Sequence, residues 1–267
     1  MIPLVHHVPG KVKEAAKKVL KIYYMTRIRL RKAPFRYIFI DSHMRSGSTL
    51  LAHILFSNPD IIGYGETHIR YESEEDFKDL ICHVYTSLHT LRMPEAYVID
   101  KVVNSGYINE SIIRSEKLYK IFLLRRPEAT LKSLLHVISD WDSECAAAYY
   151  MKRLSALADE AKVADDKKRC LYITYEQVLY QTAKVFAVMR DFLGLRHALS
   201  ERYDVTPKMH MGGIGDWLAN IKSGRIIRGH TTSPETHMPP EILDRAATAY
   251  ESCSSVLRRY CRSLEPD

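Results

Sequence analysis

The stretch FIDSHMRSGSTLLAHIL, residues 39–55, constrains this chain more than any other. It completes an apolar run, FRYIFI (35–40), crosses a loop rich in Ser and Gly, and continues as an apolar segment, 48–57, closed by Asn58-Pro59. A short apolar run of this kind fits a strand buried on both faces of a parallel sheet. Strand, small-residue loop and helix in that order make an anion cradle from loop amides and a helix N-terminus. The octet Ser42-His43-Met44-Arg45-Ser46-Gly47-Ser48-Thr49 can be set against the phosphate loop GxxxxGK[ST]. Gly47 and Thr49 stand at its second Gly and its Ser/Thr, Ser48 replaces the lysine, and a cation, Arg45, precedes Ser48 by three residues. The loop is therefore expected to hold a phosphate-like anion without being built for ATP hydrolysis.

The rest of the chain alternates strands with helices. EAYVIDKV (95–102), LYKIFLLR (118–125) and RCLYITYEQV (169–178) read as strands. Helices are expected from Pro127 onward, over 143–162, over 182–194 with Gly194 at its C-cap, and over 240–262. The Gly-, Pro-, Thr- and His-rich segment 203–240 is expected to be loop. This pattern predicts an α/β fold: one P-loop-like three-layer domain, 35–267, with a central parallel sheet flanked by helices. Residues 1–34 form a separate basic helical segment in this reading, ended by Ala33-Pro34.

Four stretches together resemble the sulfotransferases that use 3′-phosphoadenosine-5′-phosphosulfate (PAPS). RSGSTLL resembles that family's 5′-phosphosulfate loop, which implies that Arg45, Ser46, Gly47, Ser48 and Thr49 bind the donor. FLLRRPEATLKSLLH (122–136) resembles its 3′-phosphate site, an Arg at a strand end followed eight residues later by a helical Ser, here Arg125 and Ser133. A fixed cation and a hydroxyl donor suit such a phosphate. YITYEQV with the later FLGL (192–195) places Tyr175 at the position of the tyrosine near the adenine. MHMGGIGDWLANI (209–221) weakly resembles a C-terminal segment of the cytosolic enzymes through Gly212, Gly215, Asp216 and Trp217. His210 and Met211 stand where that segment has two basic residues, and Lys222, Arg225 or Arg228 are candidate substitutes.

The resemblance also implies the catalytic groups. Residues 45–70 are similar to tyrosylprotein sulfotransferases, in which a Glu in a Gly-Glu turn is the base; this gives Glu66, with His68 as runner-up. Lys101, at the C-terminal end of a predicted strand, matches a family lysine that steadies the transferring sulfuryl group. Arg45 would stabilise the leaving group. In-line transfer of this kind asks the protein mainly to position reactants and neutralise charge. The implied donor is PAPS, the product adenosine 3′,5′-bisphosphate, and no metal is called for; the twelve histidines lack paired ligand spacing. The acceptor is expected to be a hydroxyl on a glycan or lipid-linked sugar, with a small alcohol or phenol next and protein tyrosine third. Its pocket is expected to draw on His68, Tyr71, Tyr85, His89 and Trp141. A small-molecule kinase, which would need ATP and Mg²⁺, and a non-catalytic nucleotide- or glycan-binding protein are the competing classes.

Charge and cysteine content bound the setting. Residues 1–36 hold ten Lys or Arg against one acid, Glu14, while the other residues hold 29 basic and 31 acidic side chains. The body is therefore near neutral, which argues against a nucleic-acid partner. Residues 11–32 either pack an apolar stripe on the domain or lie peripherally on an anionic membrane. No apolar run reaches transmembrane length. The five cysteines form no CxxC pair and are odd in number, which predicts reduced thiols and a cytoplasmic protein.

Overall fold

A computed structural model describes residues 10–205, 219–229 and 238–264. Its frame is a six-stranded, all-parallel sheet of β1 (Arg36–Ser42), β2 (Ile61–Gly63), β3 (Tyr97–Val102), β4 (Leu118–Leu124), β5 (Cys170–Thr174) and β6 (Arg262–Ser263), in the order β2-β3-β1-β4-β5-β6. β1 lies in the middle, with Ile40 opposite Lys101 of β3 and Ser42 opposite Leu123 of β4. From β1 the chain passes to β2 at one edge, returns to β3 beside β1, and then crosses to β4 on the other side of β1. Such a switch point opens a crevice at the C-terminal edge of the strands. The expected α/β class, with helices on both faces of a parallel sheet, is the observed one.

Strand alternation divides the core. Ile38, Ile40, Ile121, Leu123, Leu171 and Ile173 face α2 (Ser48–Phe56), α7 (Tyr175–Tyr180) and α8 (Thr182–Leu193). Phe122, Leu124 and Tyr172 face the opposite way, onto α5 (Pro127–Val137), α6 (Ser143–Ala164) and α10 (Pro240–Tyr260). On that same side Tyr37, Phe39 and Val98 meet α3 (Asp76–Ser87) and Tyr24 of α1 (Gly10–Arg29). The short helices α4 (Glu110–Ile113) and α9 (Ala219–Lys222) complete the described structure.

Two expectations need correction. The strand predicted over 169–178 stops at Thr174, because Thr174 accepts the Gln177 N–H and Gln177 returns the bond to the Thr174 N–H; this reciprocal cap starts α7 at Tyr175. The segment 203–240 is not loop throughout, since α9 forms within it. β2, α3, α4 and β6 were not predicted. The short strands carry too few residues for a periodic signal, and DFKDLICHVYTS places its apolar face among acids and polar residues.

Candidate active site

The chain brings its distinctive residues to one cavity of about 520 Å³ at the C-terminal edge of the sheet. Arg45, Gly47, Ser48, Thr49, Glu66, Lys101, Arg125 and Tyr175 line it, together with the runner-up His68. Four cations, Arg45, Lys101, Arg125 and Arg225, face one carboxylate, Glu66, among the described lining residues. That balance suits a ligand with several negative charges. The first turn of α2 adds its unpaired amides and the positive end of its dipole.

One end of the cavity is built around the loop after β1. Arg45 adopts a left-handed backbone, φ +64°, and its Nε donates to Ser133 Oγ at 2.8 Å. Arg125 Nη1 donates to the Arg45 carbonyl at 3.1 Å, and the Arg125 guanidinium lies 4.8 Å from the centre of the Tyr175 ring. Arg45, Arg125, Ser133 and Tyr175 thus form one cluster. Ser133 is nearly buried and stands behind Arg45 rather than lining the cavity. Ser46 is fully buried, below the cavity, and its Oγ has no partner among the described residues; the same holds for Arg125 Nε. Of these two, Arg125 Nε belongs to a residue that lines the cavity. Gly47 has φ +88°, and a Cβ there would lie 2.1 Å from Tyr175 Cδ2, so the tyrosine ring packs directly on the glycine.

The backbone beneath is held by His43, which the sequence did not mark. Its imidazole is fully buried; Nδ1 donates to the Met44 carbonyl at 2.9 Å and Nε2 accepts the Arg125 N–H at 3.1 Å. Burial lowers its pKa to about 3, so it is a neutral clamp between loop and strand end. The Arg125 carbonyl is held in turn by Tyr150 Oη at 2.7 Å.

At the other end Lys101 Nζ lies 3.2 Å from Glu66 Oε2, and His68 Nδ1 lies 3.5 Å from Glu66 Oε1. Side-chain exposures of 12% for Glu66 and 13% for Lys101 make the pair largely buried where it lines the cavity. Asp100, also missed by the sequence reading, sets this arrangement. Its buried carboxylate accepts from Thr67 N–H at 3.0 Å, Thr67 Oγ1 at 2.6 Å, Tyr71 Oη at 2.6 Å and Lys101 N–H at 2.8 Å. Burial raises its pKa, and the bonds from Thr67 and Tyr71 oppose that rise. The Lys101 N–H also approaches the Gly65 carbonyl at 3.2 Å, so the turn carrying Glu66 is bound to the strand carrying Lys101.

No protein-family model matches this chain, and no curated protein matches it. Solved structures do. The sulfotransferase domain from the olefin synthase of Synechococcus PCC 7002 aligns over 84% of this chain and 96% of its own, with 18% identity and a TM-score of 0.55. The sulfotransferase domain from the curacin biosynthetic pathway aligns over 83% of this chain and 99% of its own, with 15% identity and a TM-score of 0.52. The chain has the sulfotransferase fold.

Of the residues expected to form an acceptor pocket, His68 lines the cavity. Tyr71 and Tyr85 are fully buried in the core, His89 is exposed, and none of these three, nor Trp141, lines the cavity. One wall of the cavity is Met44, Val103, Leu134, Val137 and Ile138, with Asn104 as its polar member. Tyr149 Oη ties this wall together, accepting the Met44 N–H at 2.8 Å and donating to the Val103 carbonyl at 3.3 Å. Beyond Tyr175 the cavity is lined by Leu179, Tyr180, Tyr203, Ile221 and Ile227. These residues come from separate elements, and no local motif marks them. Of the three candidate substitute cations, Arg225 lines the cavity and Lys222 is exposed; the Arg228 guanidinium is taken by the Leu179 carbonyl, Thr182 and Glu201. His210, Met211, Gly212, Gly215, Asp216 and Trp217 lie outside the described residues.

Proposed function

We propose that this protein is a PAPS-dependent sulfotransferase, with Glu66 as base and Lys101 and Arg45 as charge stabilisers. The observation that carries the reading is one cavity holding both a lysine-free phosphate cradle with paired arginines and a carboxylate–lysine pair. Bound there, the donor supplies the sulfuryl group, which passes to the acceptor oxygen as its bond to the leaving phosphate breaks. Arg45 and the amides at the start of α2 hold anionic oxygens, and Arg125 provides a cation stacked on Tyr175. Lys101 neutralises charge on the moving group. Glu66 accepts the proton of the acceptor hydroxyl, a role worth about 10²–10⁴-fold in rate.

The acceptor in this reading is a hydroxyl compound. The wall of Met44, Val103, Leu134, Val137 and Ile138 favours one with an apolar body, a small alcohol or phenol or the lipid-bearing end of a lipid-linked sugar, over a free glycan. A kinase is disfavoured by Ser48 at the position of the phosphate-loop lysine.

Calorimetric titration with adenosine 3′,5′-bisphosphate, and with ATP–Mg²⁺ for comparison, tests the donor. The bisphosphate should bind and ATP should bind weakly, and Arg125→Ala should lower bisphosphate affinity by about tenfold or more. Binding of ATP but not the bisphosphate would overturn the reading. Glu66→Gln should keep bisphosphate binding and lose transfer of labelled sulfate; full turnover in that variant would remove Glu66 as base.

A further inference from the structure

We propose that the solvent face of α1 docks on an anionic lipid surface. The helix packs by one face only. Tyr24 is buried with its Oη donating to the Thr90 carbonyl at 3.1 Å, and Lys21 reaches Asp79 of α3 at 2.9 Å. On the opposite face Val19, Ile22, Thr26 and, in the turn just beyond the helix, Leu30 recur at spacings of three and four and so form one stripe.

Val19, Ile22 and Leu30 are 66%, 67% and 73% exposed. They are three of the five large hydrophobic side chains that stand exposed among the described residues, and a fourth, Leu91, adjoins α1 through the bond from Tyr23 Oη to its carbonyl. Exposed apolar surface is therefore concentrated here rather than scattered.

Basic residues flank the stripe. Lys18 and Arg29 lie on one side, Arg27 lies on the other, and Lys32 follows; all are exposed. Arg27, Arg29 and Lys32 make no ion pair among the described residues, and Lys18 has only a loose contact with Glu14 at 3.7 Å. The remainder of the chain, beyond residue 36, is near neutral overall. Cations alone would suit a nucleic-acid backbone, but three aliphatic side chains between them have no role there. Cations rimming an aliphatic stripe suit the headgroup–acyl boundary of an anionic bilayer, where both are used at once. No described helix is long and apolar enough to cross a membrane, so the contact lies at the surface.

The test is co-sedimentation of the full chain with vesicles of phosphatidylcholine alone and of phosphatidylcholine with about 30% phosphatidylserine. The protein should pellet with the second and not with the first, and should be released at about 1 M salt, where screening is short-ranged. Val19→Ser/Ile22→Ser/Leu30→Ser and Arg27→Glu/Arg29→Glu should each weaken binding by about tenfold or more. Both variants should keep the wild-type melting temperature, because the replaced side chains are exposed. Wild-type protein that stays in the supernatant with anionic vesicles would overturn the proposal. So would variants that bind as well as wild type, or a dimer in light scattering that the triple serine variant dissociates. The readout needs no turnover and does not depend on the sulfotransferase reading.

Discussion

Gly47 leaves no room for a side chain. Its positive φ is costly for any other residue, and a Cβ would collide with the Tyr175 ring that lies beneath Arg125. Gly47→Ala should lower stability by about 1–3 kcal/mol and displace the tyrosine. Thermal melting should show the first effect, and titration with adenosine 3′,5′-bisphosphate should show affinity reduced as well. His43 acts in the same place by staying neutral. Burial holds its pKa near 3, against an ordinary 6.5, so the unfolded chain takes up the proton first. Its contribution is complete above pH 6.5 and is lost as the pH falls through that value towards 3, with a slope of at most about 1.4 kcal/mol per pH unit. Urea unfolding at several pH values should therefore show a steeper acid loss in wild type than in His43→Gln. His43 was hidden in the sequence because its role depends on burial and on its bond to the Arg125 N–H, 82 residues away.

Between elements, function depends on how turns are fastened to strand ends. The Glu66 turn is fastened by Asp100, whose oxygens take four donors from Thr67, Tyr71 and Lys101. An amide cannot satisfy all of them, since one of its two heads is itself a donor. Asp100→Asn should lower kcat by about tenfold or more through misplacement of Glu66 and Lys101 while donor affinity stays near wild type. A KM change without a kcat change would contradict that role. Thr174 does the corresponding work for α7: Thr174→Ala removes one half of the reciprocal cap and should cost about 1 kcal/mol in urea unfolding. It should also loosen Tyr175, the first residue of that helix. The predicted strand overran into this helix because Tyr175 and Val178 have strand-forming side chains, and the cap overrode that preference.

Across the whole molecule, a buried ionic network joins the sheet to α6. Lys120, 1% exposed, lies 2.9 Å from Asp41 Oδ2 and 3.0 Å from Glu160 Oε2. The Asp41 contact is an ion pair without hydrogen-bond geometry. Burial disfavours the charge on Lys120, but the two carboxylates outweigh it and hold the lysine protonated. Glu160 also takes Arg153 Nη1 at 3.0 Å, and Arg153 donates to the carbonyls of Ser42 and Val102, at the ends of β1 and β3. The strand ends that precede the loop carrying Arg45 and follow Lys101 are thus braced from α6. Lys120→Met leaves two buried carboxylates with one cation fewer and should destabilise the fold by about 3–5 kcal/mol, measurable by chemical denaturation.

Local pattern determined a good deal of this. The strand–loop–helix at 36–56, the strands of 97–102 and 118–124, and the cations Arg45, Arg125 and Lys101 were all readable, because period, loop chemistry and strand ends are written over a few adjacent residues. Which groups meet was decided only in three dimensions. The pairing of Glu66 with Lys101, the seat of Arg45 on Ser133, and the apolar wall from Met44 to Ile138 join residues 35 to 94 positions apart. The same is true of the two faces of α1: sequence marked it as basic and amphipathic, but only packing against α3 showed which side is left to solvent. Contacts of that range depend on strand order and register, and no local periodicity records them.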